Sequence, residues 1–152
     1  MVRWSKILWA NFVTEGMNAP AALASASMTR TRQRLGSRAE DLVAARLAAA
    51  GWRVLERNAR SRHGELDIVA LDDRTLVFVE VKAGREGSAY GPERPVLAVG
   101  PRKQSRIRRL AAAWMAERRD LPRYTAIRCD VVGVTFDRAG RVIEVEHITG
   151  AF

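Results

Sequence analysis

The chain has 152 residues, of which 47% are hydrophobic and 28% are charged, and its formal net charge is +9. This length predicts a single domain with a buried core. The isoelectric point of about 11.1 favours a polyanionic partner, although codon usage in a GC-rich genome would also enrich the chain in arginine. One cysteine and two histidines exclude a disulfide framework and a standard zinc motif, and a reducing, cytoplasmic setting is expected.

The first 28 residues differ in character from the rest. Two positive charges precede a short apolar run at 7–13, an order that resembles a signal peptide only in outline. The run is too short to span a bilayer, so no membrane association is expected. We therefore predict a poorly ordered extension over 1–28 and one folded domain over 29–152. A short partner-binding helix is the alternative for the extension.

A first helix is predicted over 37–50. Ser37 and Glu40 have the spacing of an N-terminal capping box, and Gly51 supplies a C-terminal stop. An apolar stripe that includes Val43 and Leu47 predicts the buried face. Glu40 borders this stripe, which leaves open whether it only caps the helix or reaches a functional site.

A strand over 52–57 and a polar, basic turn over 58–64 are predicted next. Cations in this region suit contacts to phosphates, because phosphate oxygens take most protein hydrogen bonds in nucleic-acid complexes. The candidate nucleic-acid-binding residues here are Arg57, Arg60 and Arg62.

Two strands over 64–70 and 76–82 form the centre of the chain. The second has apolar, β-prone residues on both faces, which is typical of a central strand covered on both sides. Glu80 and Lys82 nevertheless lie within it and point to the same face, because side chains alternate along a strand. With a two-residue loop at 73–74, the pairing register places Asp67 opposite Glu80.

Two adjacent carboxylates repel, and their removal from water is costly unless a cation lies between them. Because Mg²⁺ binds one or two protein carboxylates and keeps several waters, Asp67 and Glu80 predict a divalent metal site. An exposed ion pair of Glu80 and Lys82 is the alternative, but the apolar residues around both argue against it. Only three of the 26 basic residues are lysines, and Lys82 is one of them.

The second half of the chain begins with an irregular stretch over 83–100 that contains four glycines and two prolines. We expect it to be a functional loop that flanks a substrate groove. A helix over 101–119 follows, with Pro101 in its first turn, and its start is rich in cations. Such a basic face is usually only solvated, but at a helix N-terminus it suits phosphate binding, and the candidates are Arg102, Lys103, Arg106 and Arg109.

Two more strands are predicted, over 127–136 and 141–147, joined by a turn. Asp130 lies inside the first of them. We interpret it as a structural partner of Arg128 or of an arginine on a neighbouring strand.

The D-(x12)-E-x-K pattern of Asp67, Glu80 and Lys82 resembles the PD-(D/E)XK nuclease superfamily. The stretches GELDIVA and VFVEVK resemble the YraN-like family of small bacterial proteins, which is related to archaeal Holliday-junction resolvases. The similarity runs from about residue 29 to 152, and Leu66 stands where the superfamily has proline. The resemblance implies that Glu40 supports the metal or its water and that Lys103 is a recurrent position.

The order α-β-β-β-α-β-β predicts an α/β fold with a mixed five-stranded sheet flanked by helices, and the resemblance implies the same restriction-endonuclease-like architecture. The implied function is a Mg²⁺- or Mn²⁺-dependent endonuclease acting on nucleic acid, with DNA favoured. Asp67, Glu80 and the backbone carbonyl of Val81 would hold the metal. Lys82 would orient the attacking water, and Glu40 would complete the shell. A non-catalytic nucleic-acid-binding adaptor and a resolvase-like homodimer are the alternatives.

Overall fold

One mixed five-stranded sheet with a helix on each face makes up the computed structural model, which describes residues 24–87 and 94–152. The predicted order α-β-β-β-α-β-β is confirmed. The elements are α1 (Ala24–Ala49), β1 (Arg53–Ser61), β2 (Gly64–Asp72), β3 (Thr75–Arg85), a 3-10 turn (Pro95–Ala98), α2 (Pro101–Ala116), β4 (Ala126–Phe136) and β5 (Val142–Ile148).

The strands lie in the sheet in chain order, from β1 at one edge to β5 at the other. Only β3 and β4 run parallel, and the other neighbours are antiparallel. Antiparallel neighbours need only tight turns, whereas a parallel pair needs a longer crossover, and α2 lies in this one. The strand β3 is therefore the centre of the sheet, as its sequence predicts.

Two apolar layers cover the faces of β3. On one face Phe78 packs in a cluster with Ile107 and Trp114 of α2. On the other face Val77 and Val79 pack in a cluster with residues of α1. The apolar residues at successive positions of β3 are thus explained, because both faces of the strand are buried.

The helix α1 begins at Ala24, thirteen residues before the predicted start at Ser37. Ser37 lies in the helix interior, so the predicted capping box is wrong. Residues 24–36 contain good helix formers, among them two alanines and three arginines, and Gly36 costs only about 1 kcal/mol. At the other end Gly51, with φ of 88°, stops the helix as predicted, and Trp52 N–H donates to the Leu47 carbonyl at 3.0 Å.

The predicted basic turn over 58–64 is mostly strand, because β1 continues to Ser61 and pairs with Gly64. The turn is reduced to Arg62 and His63. The predicted loop over 83–100 is also shorter, since β3 continues to Arg85. Its centre, 88–93, lies outside the described residues. So do residues 1–23 of the expected extension over 1–28, whereas 24–28 belong to α1. In the described ranges no helix is long and apolar enough to cross a membrane.

Asp130 of β4 has no exposed surface and lies at the centre of a polar network. Arg128 donates to both of its carboxylate oxygens, at 2.9 and 3.1 Å. Gly150 N–H donates to Oδ1, and His147 Nε2 lies 2.9 Å from Oδ2. Burial raises the pKa of Asp130, but the hydrogen bonds of His147, Arg128 and Gly150 outweigh it and hold the pKa below its ordinary value.

Asp130→Ala should lower the free energy of unfolding by about 3–5 kcal/mol at pH 7, because Arg128, His147 and the Gly150 N–H lose their shared buried acceptor. The exposed Asp120→Ala is the matched control, with an expected change below about 0.5 kcal/mol. Urea unfolding measures both. The difference between Asp130→Ala and the unmodified protein should shrink below about pH 4, where a carboxyl of lowered pKa loses its contribution. Equal stability of the two variants at pH 7 would contradict the structural role of Asp130.

Candidate active site

The β2–β3 hairpin brings the candidate carboxylates together. Its two-residue loop is the predicted one, and the register from Asp72–Thr75 to Ile68–Val79 is confirmed. One step further along this register lie Asp67 and Glu80. The loop contains Asp73 with φ of 51°, a left-handed conformation that Asp tolerates better than most residues.

Asp67 lies where β2 changes its orientation. Leu66 packs in the layer under α2, whereas Ile68 packs in the layer under α1. Residues two apart normally share a face of a strand, so the backbone is irregular at Asp67. Its Oδ2 accepts a hydrogen bond of 2.8 Å from Val81 N–H. The side chain thus bonds the neighbouring strand at the end of the regular pairing.

Glu80 is 2% exposed, which makes it a buried carboxylate in the central strand. Two ammonium groups contact its Oε1. Lys82 forms an ion pair with it, and Lys103 Nζ, from α2, lies 3.0 Å away. Lys82 also donates to the Val81 carbonyl at 3.2 Å. The carboxylate of Glu80 and the carbonyl of Val81 therefore converge on one cationic group.

The pKa of Asp67 is raised to about 6. Burial is the larger cause, and the negative charge of Glu80 is the next. The hydrogen bond from Val81 N–H and the charge of Lys82 lower the pKa but do not compensate. The surroundings of Asp67 therefore disfavour its ionised form relative to water.

Glu40 approaches the same site from α1, and its charge contributes to the raised pKa of Asp67. Burial and the charge of Glu65 in turn raise the pKa of Glu40. Asn58 lies between these two glutamates. When the side-chain amide of Asn58 is oriented so that its nitrogen faces both carboxylates, that nitrogen donates to Glu40 Oε2 at 2.9 Å and to Glu65 Oε1 at 3.0 Å.

The sequence analysis did not select Asn58 or Glu65. A signal for Glu65 was present, since it lies two residues before Asp67 in the GELDIVA stretch. Asn58 has a left-handed backbone with φ of 50°, and asparagine is one of the few residues other than glycine that adopt it readily. This conformation was not evident from the sequence, because Asn58 lies inside a strand.

The basic candidates fall into two groups. In β1 and its turn, Arg57 pairs with Asp41, Arg60 lies 3.4 Å from Glu65, and Arg62 donates to the ring of His63. On α2, Arg106 donates to the His63 carbonyl at 3.3 Å and lies against Gly64, where a Cβ would come within 2.4 Å of its guanidinium. Arg102, Arg106 and Arg109 are exposed on α2, as is Arg108, and Lys103 belongs to the site itself.

The oxygens at the site fit a hard divalent cation. Two carboxylates, Asp67 and Glu80, and the Val81 carbonyl are ligand types that Mg²⁺ prefers. The shared contact of Lys82 with Glu80 and Val81 indicates a place for positive charge, and the ionised form of Asp67 beside it is disfavoured without such charge. Within the described ranges no group of three or more Asp, Glu, His or Cys side chains is placed to hold a metal.

The sequence profile of an uncharacterised protein family, UPF0102, matches residues 39–134. The chain belongs to the UPF0102 family. Over 123 residues it is 50% identical to a UPF0102 protein of Parafrankia, covering 81% of this chain and 99% of that protein. It is 48% identical over 126 residues to one of Mycobacterium avium (80% and 92%) and 43% identical over 125 residues to one of Geobacter metallireducens (82% and 97%).

This membership confirms the resemblance to the YraN-like family. The UPF0102 match runs from the middle of α1 into β4. It therefore includes every residue that the structure brings to the candidate site: Glu40, Asn58, Glu65, Asp67, Glu80, Val81, Lys82 and Lys103.

Asp67→Asn should raise the free energy of unfolding by about 1–3 kcal/mol at pH 8 without divalent cations. The folded-state pKa of about 6 exceeds the ordinary value of 3.8, so the ionised carboxylate destabilises the folded protein increasingly as pH rises through this interval. The gain should shrink to about 0.5 kcal/mol near pH 4, where the carboxyl is protonated in the folded state and about half protonated in the unfolded state. Urea unfolding at both pH values measures it.

The control is Asp73→Asn, which removes a charge from the exposed loop of the same hairpin and keeps a residue that tolerates positive φ. It should change stability little at either pH. A gain for Asp67→Asn that is the same at pH 4 and pH 8 would show that the carboxylate is not destabilised by its surroundings.

Proposed function

We propose that the protein is a Mg²⁺- or Mn²⁺-dependent phosphodiesterase that cleaves nucleic acid, with DNA as the favoured substrate. One observation carries the proposal. Glu80 Oε1 and the Val81 carbonyl converge on a single ammonium group, beside a partly buried Asp67 whose pKa is raised to about 6. When bound there, a divalent cation would supply Lewis-acid activation of water and neutralise charge on the phosphate.

Different residues of the site would then have different roles in the reaction. Asp67, Glu80 and the Val81 carbonyl would hold the cation. Lys82 has a flexible stem and a compact charge, so its ammonium can turn from Glu80 towards the attacking water and the developing charge on phosphate. Glu40, held by Asn58, would accept a hydrogen bond from that water on the α1 side.

The basic face of α2 would hold the nucleic-acid backbone. Arg102 and Arg109 are exposed on the helix that also supplies Lys103 to Glu80. A phosphate held by these arginines would thus lie close to the carboxylates. The resemblance of the hairpin motif to the PD-(D/E)XK nucleases supports the same substrate class.

Asp67→Asn should abolish cleavage, because the cation loses a charged ligand, while binding of nucleic acid without metal is retained or improved. Lys82→Ala should keep metal affinity and lose turnover. Glu80→Gln is less informative, since it leaves Lys82 and Lys103 without their partner. Labelled linear, single-stranded, flapped and four-way substrates with Mg²⁺ or Mn²⁺ measure cleavage, and gel shifts without metal measure binding.

The nuclease proposal fails if the unmodified protein binds neither cation at millimolar concentration, or if Asp67→Asn cleaves as well as the unmodified protein. Tight binding of nucleic acid without cleavage of any substrate would instead favour the adaptor function. Cleavage restricted to paired cuts in four-way substrates would favour the resolvase-like homodimer.

A second prediction concerns the basic face of α2. Changing Arg102 and Arg109 together to Ala should weaken binding to all sequences equally, because phosphates carry no sequence information. The slope of log K against log salt should fall by up to about 0.9 for each lost contact with duplex DNA. Fluorescence anisotropy at several salt concentrations measures it.

The matched control is a double change of Arg53 and Arg74 to Ala. It removes the same charge from exposed positions at the opposite end of the sheet, near the β2–β3 loop. If both double variants lower the slope equally, the binding reflects net charge and not a face on α2.

A further inference from the structure

Both lysines in the described ranges contact the same carboxylate oxygen. The chain has 26 basic residues, of which three are lysines. Lys82 and Lys103 both lie against Glu80 Oε1, although they come from different elements, β3 and α2. Arginine occupies most other basic positions of this chain. The choice of lysine at these two positions therefore calls for a physical reason.

Lysine and arginine differ in how firmly they hold a carboxylate. Arginine presents a planar fork that binds two oxygens at once, whereas lysine is a compact, strongly hydrated point charge on a flexible stem. Arg128, which holds the structural Asp130 through both oxygens, shows the arginine arrangement in this same protein. A lysine suits a contact that must later be released, since it loses only a single-point interaction.

The two lysines are not equivalent in their attachment. Lys82 also donates to the Val81 carbonyl and belongs to the same strand as Glu80. For Lys103, the described part of the chain provides one polar contact, Glu80, and its side chain is 35% exposed. Lys103 can therefore leave the carboxylate and turn towards solvent on the α2 side, where Arg102 and Arg106 also lie.

We propose that Lys103 is a removable counter-ion of Glu80. It neutralises the buried carboxylate in the cation-free protein, competes with the divalent cation for Glu80 Oε1, and is displaced when the cation binds. Its ammonium is then available to the phosphate on the α2 face. This inference rests on the proposed function of the site. It makes Lys103 a counter-ion of Glu80 in the cation-free protein, and not a permanent phosphate ligand.

The first test is Mn²⁺ binding, measured by electron paramagnetic resonance of free Mn²⁺ without nucleic acid. Lys103→Met removes the competitor and should tighten binding by about tenfold, which corresponds to about 1.4 kcal/mol. Lys103→Gln serves as a second neutral variant. Lys82 continues to pair with Glu80 in both, so the fold should persist, and thermal unfolding checks this.

The matched control is Arg85→Met. It also removes one positive charge, from an exposed position on β3 about 16 Å beyond Glu80 along the strand. Loss of a distant, exposed charge is largely screened by salt and should change the Mn²⁺ dissociation constant less than twofold at 0.15 M. The comparison separates competition at Glu80 from a general effect of net charge.

The second test observes the lysine itself. Only three lysines are present, so their side-chain ammonium nitrogens can be assigned by nuclear magnetic resonance from single substitutions. Lys103 should give a protected signal in the cation-free protein. Diamagnetic Mg²⁺ should abolish that protection, because the ammonium leaves the carboxylate and exchanges with water.

The outcomes separate this inference from the proposed function. If the unmodified protein and Lys103→Met bind Mn²⁺ equally well and Lys103 stays protected with Mg²⁺, the counter-ion proposal is wrong while the metal site stands. If only the neutral variants bind Mn²⁺, Lys103 blocks the cation and is not displaced by it, which overturns the removable counter-ion and also contradicts a resident metal. If no variant binds Mn²⁺, both proposals fail.

Discussion

The structure depends on one constraint, a carboxylate held inside the central strand of a sheet that is covered on both faces. Glu80 is almost completely buried in β3, and a charge in that position is stable only with compensating positive charge. Lys82 supplies part of it from the same strand, and Lys103 supplies the rest from α2. The packing of α2 on the sheet is therefore coupled to the electrostatics of the site.

Regular strand geometry is interrupted where the carboxylates meet. Leu66 and Ile68 pack on opposite faces, Asn58 has a left-handed backbone, and the Asp67 side chain bonds Val81 of β3. Local departures of this kind cost free energy and persist only when surrounding contacts hold them. In this protein the apolar layers under α1 and α2 provide these surrounding contacts. Glu40 lies close enough to Asp67 for its charge to contribute to the raised pKa of Asp67.

Much of the fold was predictable because its signals are local. The register of the β2–β3 hairpin follows from the side-chain period of two and the tight loop, so the neighbouring positions of Asp67 and Glu80 could be read directly. The start of α1 was predicted wrongly because a serine and a glycine are weak signals inside a helix-forming stretch. The length of β1 was underestimated because an edge strand rich in polar residues lacks the apolar alternation of a buried one.

The sequence by itself determined the order and type of the elements, the family, and the hairpin that carries Asp67, Glu80 and Lys82. These features depend on residues close together in the chain. Only the tertiary structure decided that Lys103 contacts Glu80, that Arg106 packs against the β1–β2 turn, and that Asn58 lies between Glu40 and Glu65. Each of these three contacts joins different elements of the fold. Their geometry follows from how α1 and α2 rotate and settle on opposite faces of the sheet, which side-chain packing determines and local periodicity does not.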